Sequence, residues 1–168
     1  MAGLRGAFFD TSILIAGSID FGRSSQHALL LMDAVANGQI ERPLTAWHCC
    51  LEFYSVTTRL PEEYRLEPEI ALRLLREEIF PRFSVHDLPS KLREEFLIST
   101  VGEGTMGGRI YDAHIAEIAR QAGAQLVTTE NRRHFTSLLR HGIRVLVSAE
   151  LSAEIGLTRY RPPAEPEA

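Results

Sequence analysis

The sequence predicts an α/β fold, a parallel sheet with helices on both faces, and three observations carry that prediction. Short apolar runs alternate with longer segments of helical periodicity along the 168 residues, the pattern of parallel strands joined by helical crossovers. The first of those runs, Ala7, Phe8 and Phe9, stops on the carboxylate of Asp10, and open α/β sheets bind ligands beyond the carboxyl ends of their strands. The length suits one domain with a sizeable core, or one domain with an appended tail.

Residues 6–9 read as the first strand, followed by a short helix into Ala16 and Gly17 and a polar loop over Ser18–Ser24. Ser24 or Ser25 caps a second helix to Ala36, with Ala28, Leu31, Met32 and Val35 at helical spacing and Asn37 and Gly38 as its stop. Ile40–Leu44 reads as a strand. Thr45 caps a third helix through about Arg59, in which Trp47, Cys50, Leu51 and Tyr54 make the apolar face. After a charged loop at Pro61, Glu67–Phe80 forms an amphipathic helix on Ile70, Leu74 and Leu75, and Phe83–Leu88 a further strand. Ser90 opens a helix that fades into a connection holding Gly102, Gly104, Gly107 and Gly108. No Lys follows the last of these glycines and no strand precedes them, so the run fails the pattern of a nucleotide phosphate loop. Arg109–Ala122 is the clearest helix, Gln125–Thr129 a strand, Asn131–His141 a helix and Ile143–Val147 the last strand. Residues 1–157 are expected to form the domain, and 158–168, with Pro162, Pro163 and Pro166, a disordered tail.

A formal charge of −4 argues against a globally basic nucleic-acid coat and requires any such contact to use local basic patches or metal ions. Cys49 and Cys50 are adjacent in a helix, a geometry poorly suited to a disulfide and far from metal-ligand spacing; reduced thiols in a cytoplasmic protein are the expectation. Asp10 falls inside what would be the apolar core of a signal peptide, and no run approaches the ~18 apolar residues of a membrane span.

Four polar positions interrupt this apolar framework. Asp10 needs compensation, since desolvating an unpaired carboxylate costs several kcal/mol; an N-cap role, a cationic partner and a metal would each provide it. Asp112 shares a helical stripe with Gly108, Ala116 and Ala119, all small, so its carboxylate either rises into a crowded interior or sits in the first turn at the surface. Glu52 lies between Leu51 and Phe53, one turn after His48. Thr128, Thr129, Glu130 and Asn131 crowd oxygen and amide groups onto a late strand end. Hard cations such as Mg²⁺ or Mn²⁺ take oxygen ligands and keep several waters, so two or three convergent carboxylates suffice. No His and Cys spacing fits a tetrahedral zinc site.

The order of these residues resembles the PIN domain, and more narrowly the VapC-type toxin ribonucleases. The likeness rests on FFDTSILIAG near the start, LEF around Glu52, GGRIYDAHIAEIARQAGAQLVTTENRRHF from 107 to 135 and the closing IRVLV strand. It implies a three-layer α/β/α sandwich around a short parallel sheet, with metal on Asp10, Glu52 and Asp112. Asn131 falls where the family often has Asp, leaving Glu130 as the nearest carboxylate: Asn131 would offer an amide oxygen or hold a water, and Glu130 would rotate in as a ligand or face solvent. The activity implied is Mg²⁺- or Mn²⁺-dependent hydrolysis of RNA, with Thr11, Ser12 and Thr129 positioning phosphate or water. Arg109, Arg132 and Arg133, with Arg140 and Arg144 beyond them, are the candidate RNA contacts. The partners implied are a homodimer and a small antitoxin protein, with Leu30, Leu31, Trp47 and Tyr54 as candidate surfaces.

Two enzyme classes that also place an Asp after the first strand fit less well. A haloacid-dehalogenase phosphatase wants a second Asp two residues on, where this chain has Ser12, and a receiver domain wants a late Lys, whereas the only lysine is Lys91. The remaining rival is a PIN-like fold with a degraded metal site that binds RNA or protein without cutting.

Overall fold

The structure, a computed structural model, describes residues 3–157. The proline-rich segment expected to be a tail lies outside the described residues.

Five parallel strands, β1 (Ala7–Phe9), β2 (Leu44–Ala46), β3 (Ser84–His86), β4 (Leu126–Thr128) and β5 (Arg144–Leu146), form one sheet in the order β3-β2-β1-β4-β5. Each strand has three residues, and those of β1 and β4 are fully buried, as expected of central strands in a parallel sheet covered on both faces. The helices are α1 (Thr11–Ala16), α2 (Gln26–Ala36), α3 (Trp47–Thr57), α4 (Pro68–Leu74), α5 (Arg93–Gly102), α6 (Arg109–Gln121) and α7 (Ser148–Glu154). Helix α1 packs on α2 and α3, α2 on α7, and α3 on α4, making one layer; α6 packs across β2 with α5 outside it, making the other. The fold is therefore the α/β/α sandwich that the sequence implied. Phe8, Phe9, Ile13, Leu14, Phe53, Ile115, Ile118 and Phe135 fill its centre.

Several elements differ from the sequence reading. The second strand begins at Leu44, not Ile40: Arg42 adopts a positive φ of 45° before Pro43, which breaks the run and leaves Ile40 only an isolated bridge to Leu4. Thr45, read as a cap, is inside β2, where its hydroxyl donates to the Phe9 carbonyl at 2.9 Å. Helix α3 buries Cys49, Cys50 and Phe53, while Trp47, Leu51 and Tyr54, read as its core face, are exposed. Two apolar stripes compete on that helix: Cys49, Cys50 and Phe53 take the buried side, while Trp47 stacks on Phe80 outside it. Leu30 and Leu31, considered for a partner surface, are in the core. Helix α4 runs into a π turn over Leu75–Ile79. The helix expected over 131–141 is a pair of 3₁₀ segments, Arg132–His134 and Thr136–His141, ended by Gly142 at a positive φ of 73°. Helix α7 had no counterpart in the sequence reading. Among the described residues no helix is long and apolar enough to cross a membrane.

Candidate active site

Asp10 follows the central strand, and the pairing of Phe9 with Thr128 sets Thr129 beside it. Its side chain is almost fully buried, 4% exposed, and Oδ2 accepts hydrogen bonds from Thr129 Oγ1 at 2.8 Å and Ser12 Oγ at 2.9 Å. The carboxylate closes no capping bond on α1, and among the described residues no Lys, Arg or His pairs with it. Of the three forms of compensation, the cap and the cation are thus not taken by the side chain. Burial pushes its carboxyl above the ordinary range, and the hydroxyls of Thr129 and Ser12, with nearby backbone N–H groups, pull it partway back.

Glu52 and Asp112 ride on helices of opposite layers. Glu52 Oε1 stands 3.1 Å from His48 Nε2, one helical turn earlier, yet lacks hydrogen-bond geometry and is left buried without a partner. The other nitrogen of that ring, Nδ1, meets His114 Nδ1 at 2.9 Å, so one ring donates and the other accepts. Desolvation, reinforced by His48, holds His114 below the ordinary histidine range. Asp112, in the first turn of α6, is half-buried with Oδ2 3.0 Å from His134 Nδ1. Desolvation raises its pKa, His134 opposes the rise, and the negative charge of Glu52 adds to it, so the two carboxylates feel each other. Neither is paired to an arginine or lysine among the described residues.

The loop after β4 closes the polar edge. The Glu130 N–H donates to Ser12 Oγ at 3.0 Å and the Asn131 N–H to Thr129 Oγ1 at 3.0 Å, so the loop's backbone fixes both hydroxyls that hold Asp10. The Glu130 carboxylate turns the other way and accepts the N–H of Ser148 at 2.9 Å, capping α7. Asn131 is exposed at the rim. Thr11 is buried with its hydroxyl oxygen unpartnered. Arg132 is tied to Glu150, Arg140 to Glu103 and Arg144 to Glu154, whereas Arg109 and Arg133 line a cleft with Asp112 and His134 and have no carboxylate partner among the described residues.

Three histidines, His48, His114 and His134, hold or neighbour the acids without having been read as site residues. The one local signal was the four-residue spacing of His48 and Glu52; the other pairings join distant parts of the chain. Among the described residues no three His, Cys, Asp or Glu side chains stand close enough to hold one ion. The donor chemistry nevertheless fits a hard divalent cation: carboxylate and hydroxyl oxygens beyond the strand ends, an orphaned oxygen on Glu52, and a buried Asp10 without counter-charge among the described residues.

The model of the PIN domain family matches residues 7–138. Ribonuclease VapC27 of Mycobacterium tuberculosis (strain ATCC 25618 / H37Rv) is 38% identical over 103 residues, covering 61% of this chain and 72% of that protein. The crystal structure of DNA-bound VapBC from Salmonella typhimurium has a similar fold, with a TM-score of 0.58 at 21% identity over 86% of this chain and 98% of that one. FitAcB from Neisseria gonorrhoeae is similar at a TM-score of 0.56 and 14% identity, over 85% of this chain and 98% of that chain. With the family model spanning everything from β1 to the second 3₁₀ segment, the chain belongs to the PIN domain family.

Proposed function

We propose that this protein is a divalent-metal-dependent endoribonuclease that hydrolyses RNA phosphodiester bonds, acting as the toxin of a type II toxin–antitoxin pair. The observation that carries the reading is Asp10: a carboxylate nearly sealed from water at the end of the central strand, held by two hydroxyls and, among the described residues, matched by no cationic side chain. Burial disfavours the anion and the hydrogen bonds of Thr129 and Ser12 offset only part of that cost, so a bound cation would stabilise it further. The 38% identity to a protein named as a VapC ribonuclease supports the same reaction.

Asp10, Glu52 and Asp112 would hold Mg²⁺ or Mn²⁺. When bound, the ion supplies a water of lowered pKa and neutralises charge on the phosphodiester. The chain's own contribution is positional. Ser12 and Thr129 fix the rotamer of Asp10, and the backbone of Glu130 and Asn131 fixes those hydroxyls in turn. Thr11 is buried in the first turn of α1 beside Asp10, so its part in placing phosphate or water would require that turn to open. Asn131 completes the polar rim, and the engagement of Glu130 with α7 favours Asn131 over Glu130 as the fourth polar group. Partners follow from the same reading: an RNA substrate, a second copy of the chain, and an antitoxin of the kind found with the toxin in the VapBC complexes that share this fold.

Purified protein with Mn²⁺ and total RNA tests this. Asp10→Asn and Asp112→Asn should each lower the cleavage rate by at least ~100-fold, since even supporting residues around a metal contribute about 10–100-fold. Urea unfolding of both variants is the control for folding. Equal cleavage by wild type and Asp10→Asn would end the nuclease reading.

A further inference from the structure

Helix α6 brings two different groups toward the acids. Residues two apart on a helix do not face each other, so Asp112 and His114 leave α6 in different directions: Asp112 meets His134, and His114 meets His48 on α3 of the opposite layer. The two imidazoles touch nitrogen to nitrogen, Nδ1 to Nδ1, at 2.9 Å, with ring centroids 5.1 Å apart and planes inclined at 61°. Phe96 of α5 packs on His114 at 5.6 Å and Tyr111 on His48 at 5.7 Å, so aromatic neighbours hold both rings in place. The other nitrogen of His48, Nε2, lies 3.1 Å from Glu52 Oε1, one turn further along α3. That oxygen is buried, and among the described residues it has no hydrogen-bond partner.

A contact of this length between two ring nitrogens holds one proton, and either ring can supply it. If a neutral His48 supplies it, its Nε2 is left as a lone pair against Glu52 Oε1, and a buried acceptor stays unpaired, which is the costly arrangement. If His114 supplies it, the one proton of His48 sits on Nε2, and a small turn of the carboxyl group brings Oε1 into line with that donor. A doubly protonated His48 would also donate to Oε1, but it would fix a positive charge beside the place a cation is to occupy. Only the second arrangement satisfies the nitrogens and the oxygen between the two helices and keeps the charge of Glu52 for a metal.

We propose that His48 and His114 are positioning residues for Glu52: His114 donates through Nδ1 to His48 Nδ1, which places the His48 proton on Nε2 and aims it at the buried oxygen of Glu52, so that α6 braces the carboxylate of α3 for a divalent cation. The inference rests on the nuclease reading for the metal-binding role of Glu52, but the ring protons and the affinity for the ion are both measured without RNA. Hydrogen bonds that orient a metal-binding carboxylate contribute about 10–100-fold to metal affinity.

The experiment uses full-length protein isotopically labelled at the histidine ring nitrogens. In metal-free buffer at neutral pH, long-range proton–nitrogen correlation spectra should show His48 protonated at Nε2 alone and His114 at Nδ1. Mn²⁺ followed by electron paramagnetic resonance should bind the wild type at a site that Asp10→Asn removes. His114→Leu should lose the preference of His48 for Nε2 and weaken Mn²⁺ binding about 10-fold, whereas His114→Asn, whose amide N–H stands in for the Nδ1 donor, should keep both. Urea midpoints control for folding, and the wild-type spectrum alone decides the outcome should His114→Leu fail to fold: His48 protonated at Nδ1, or at both nitrogens, overturns the brace. Wild-type Mn²⁺ affinity in a folded His114→Leu, or an equal loss in His114→Asn, overturns it as well. Either result beside a wild type that binds Mn²⁺ and cleaves RNA sinks the brace and spares the nuclease; the expected ring protons in a wild type that binds no Mn²⁺ end the metal reading and the positioning role with it.

Discussion

Asp10 is a carboxylate buried at the end of the central strand. Its folded-state pKa lies above the ordinary 3.8, chiefly because burial disfavours the anion. Between those two values the folded chain holds a proton that the unfolded chain has released, so stability falls as pH rises from about 3.8 through the folded pKa, and above it the full cost of the buried anion is present. Asp10→Asn removes this titration while keeping an oxygen that accepts from Ser12 and Thr129. In metal-free buffer the variant should therefore be more stable than wild type at neutral pH, with the gap closing as the pH approaches 3.8. Urea midpoints across that range measure it, and matching midpoints at neutral pH would show that Asp10 bears no such cost. Asp10, Glu52 and Asp112 could be named as candidates from the sequence, because Asp10 ends an apolar run, Glu52 sits between Leu51 and Phe53, and Asp112 shares a stripe of small residues. Their histidine partners could not: His134 reaches Asp112, and His114 reaches His48, from points 22 and 66 residues away in the chain. Glu130 was misleading for a related reason, since the helix its carboxylate caps was itself unread.

At the level of elements, the clearest steric demand lies where α1 meets α2. A Cβ on Gly17 would sit 2.3 Å from Met32 Cγ and 2.9 Å from the carbonyl oxygens of Ala28 and Ile13. The backbone there is right-handed, φ −86° and ψ −6°, so the objection to a side chain is crowding alone. Gly17→Ala should destabilise the protein by about 1–3 kcal/mol, the usual range for overpacking a tight contact. A urea midpoint unchanged from wild type would mean that α2 moves aside freely. The sequence revealed which segments were helices and strands far better than it revealed their faces and ends. Helix α3 carries two apolar stripes, and choosing between Cys49/Phe53 and Trp47/Leu51 takes knowledge of how closely α1 approaches. The segment 131–141 has helical composition but breaks into two 3₁₀ pieces, because at Phe135, between them, the backbone swings to φ −120° and ψ 8° while the ring is fully buried.

Across the whole molecule, the parallel sheet determines which parts of the site are fixed. The candidate ligands come from β1's end, α3 and α6, so only Asp10 is anchored in the sheet. Strand β1 is flanked by β2 and β4, its side chains are fully buried, and the Asp10 N–H donates to the Thr128 carbonyl at 3.1 Å. Helix α5, by contrast, exposes Leu97, Ile98 and Val101 at the periphery. In deuterated solvent these regions should part company: the amides of α5 exchange through local opening, whereas those of Phe9 and Asp10 wait for global unfolding. Mass spectrometry of labelled peptides would see the contrast, and equally fast labelling of both would contradict it. The acid at the heart of the site would then outlast every partial excursion of the chain, leaving the helices to come and go around it.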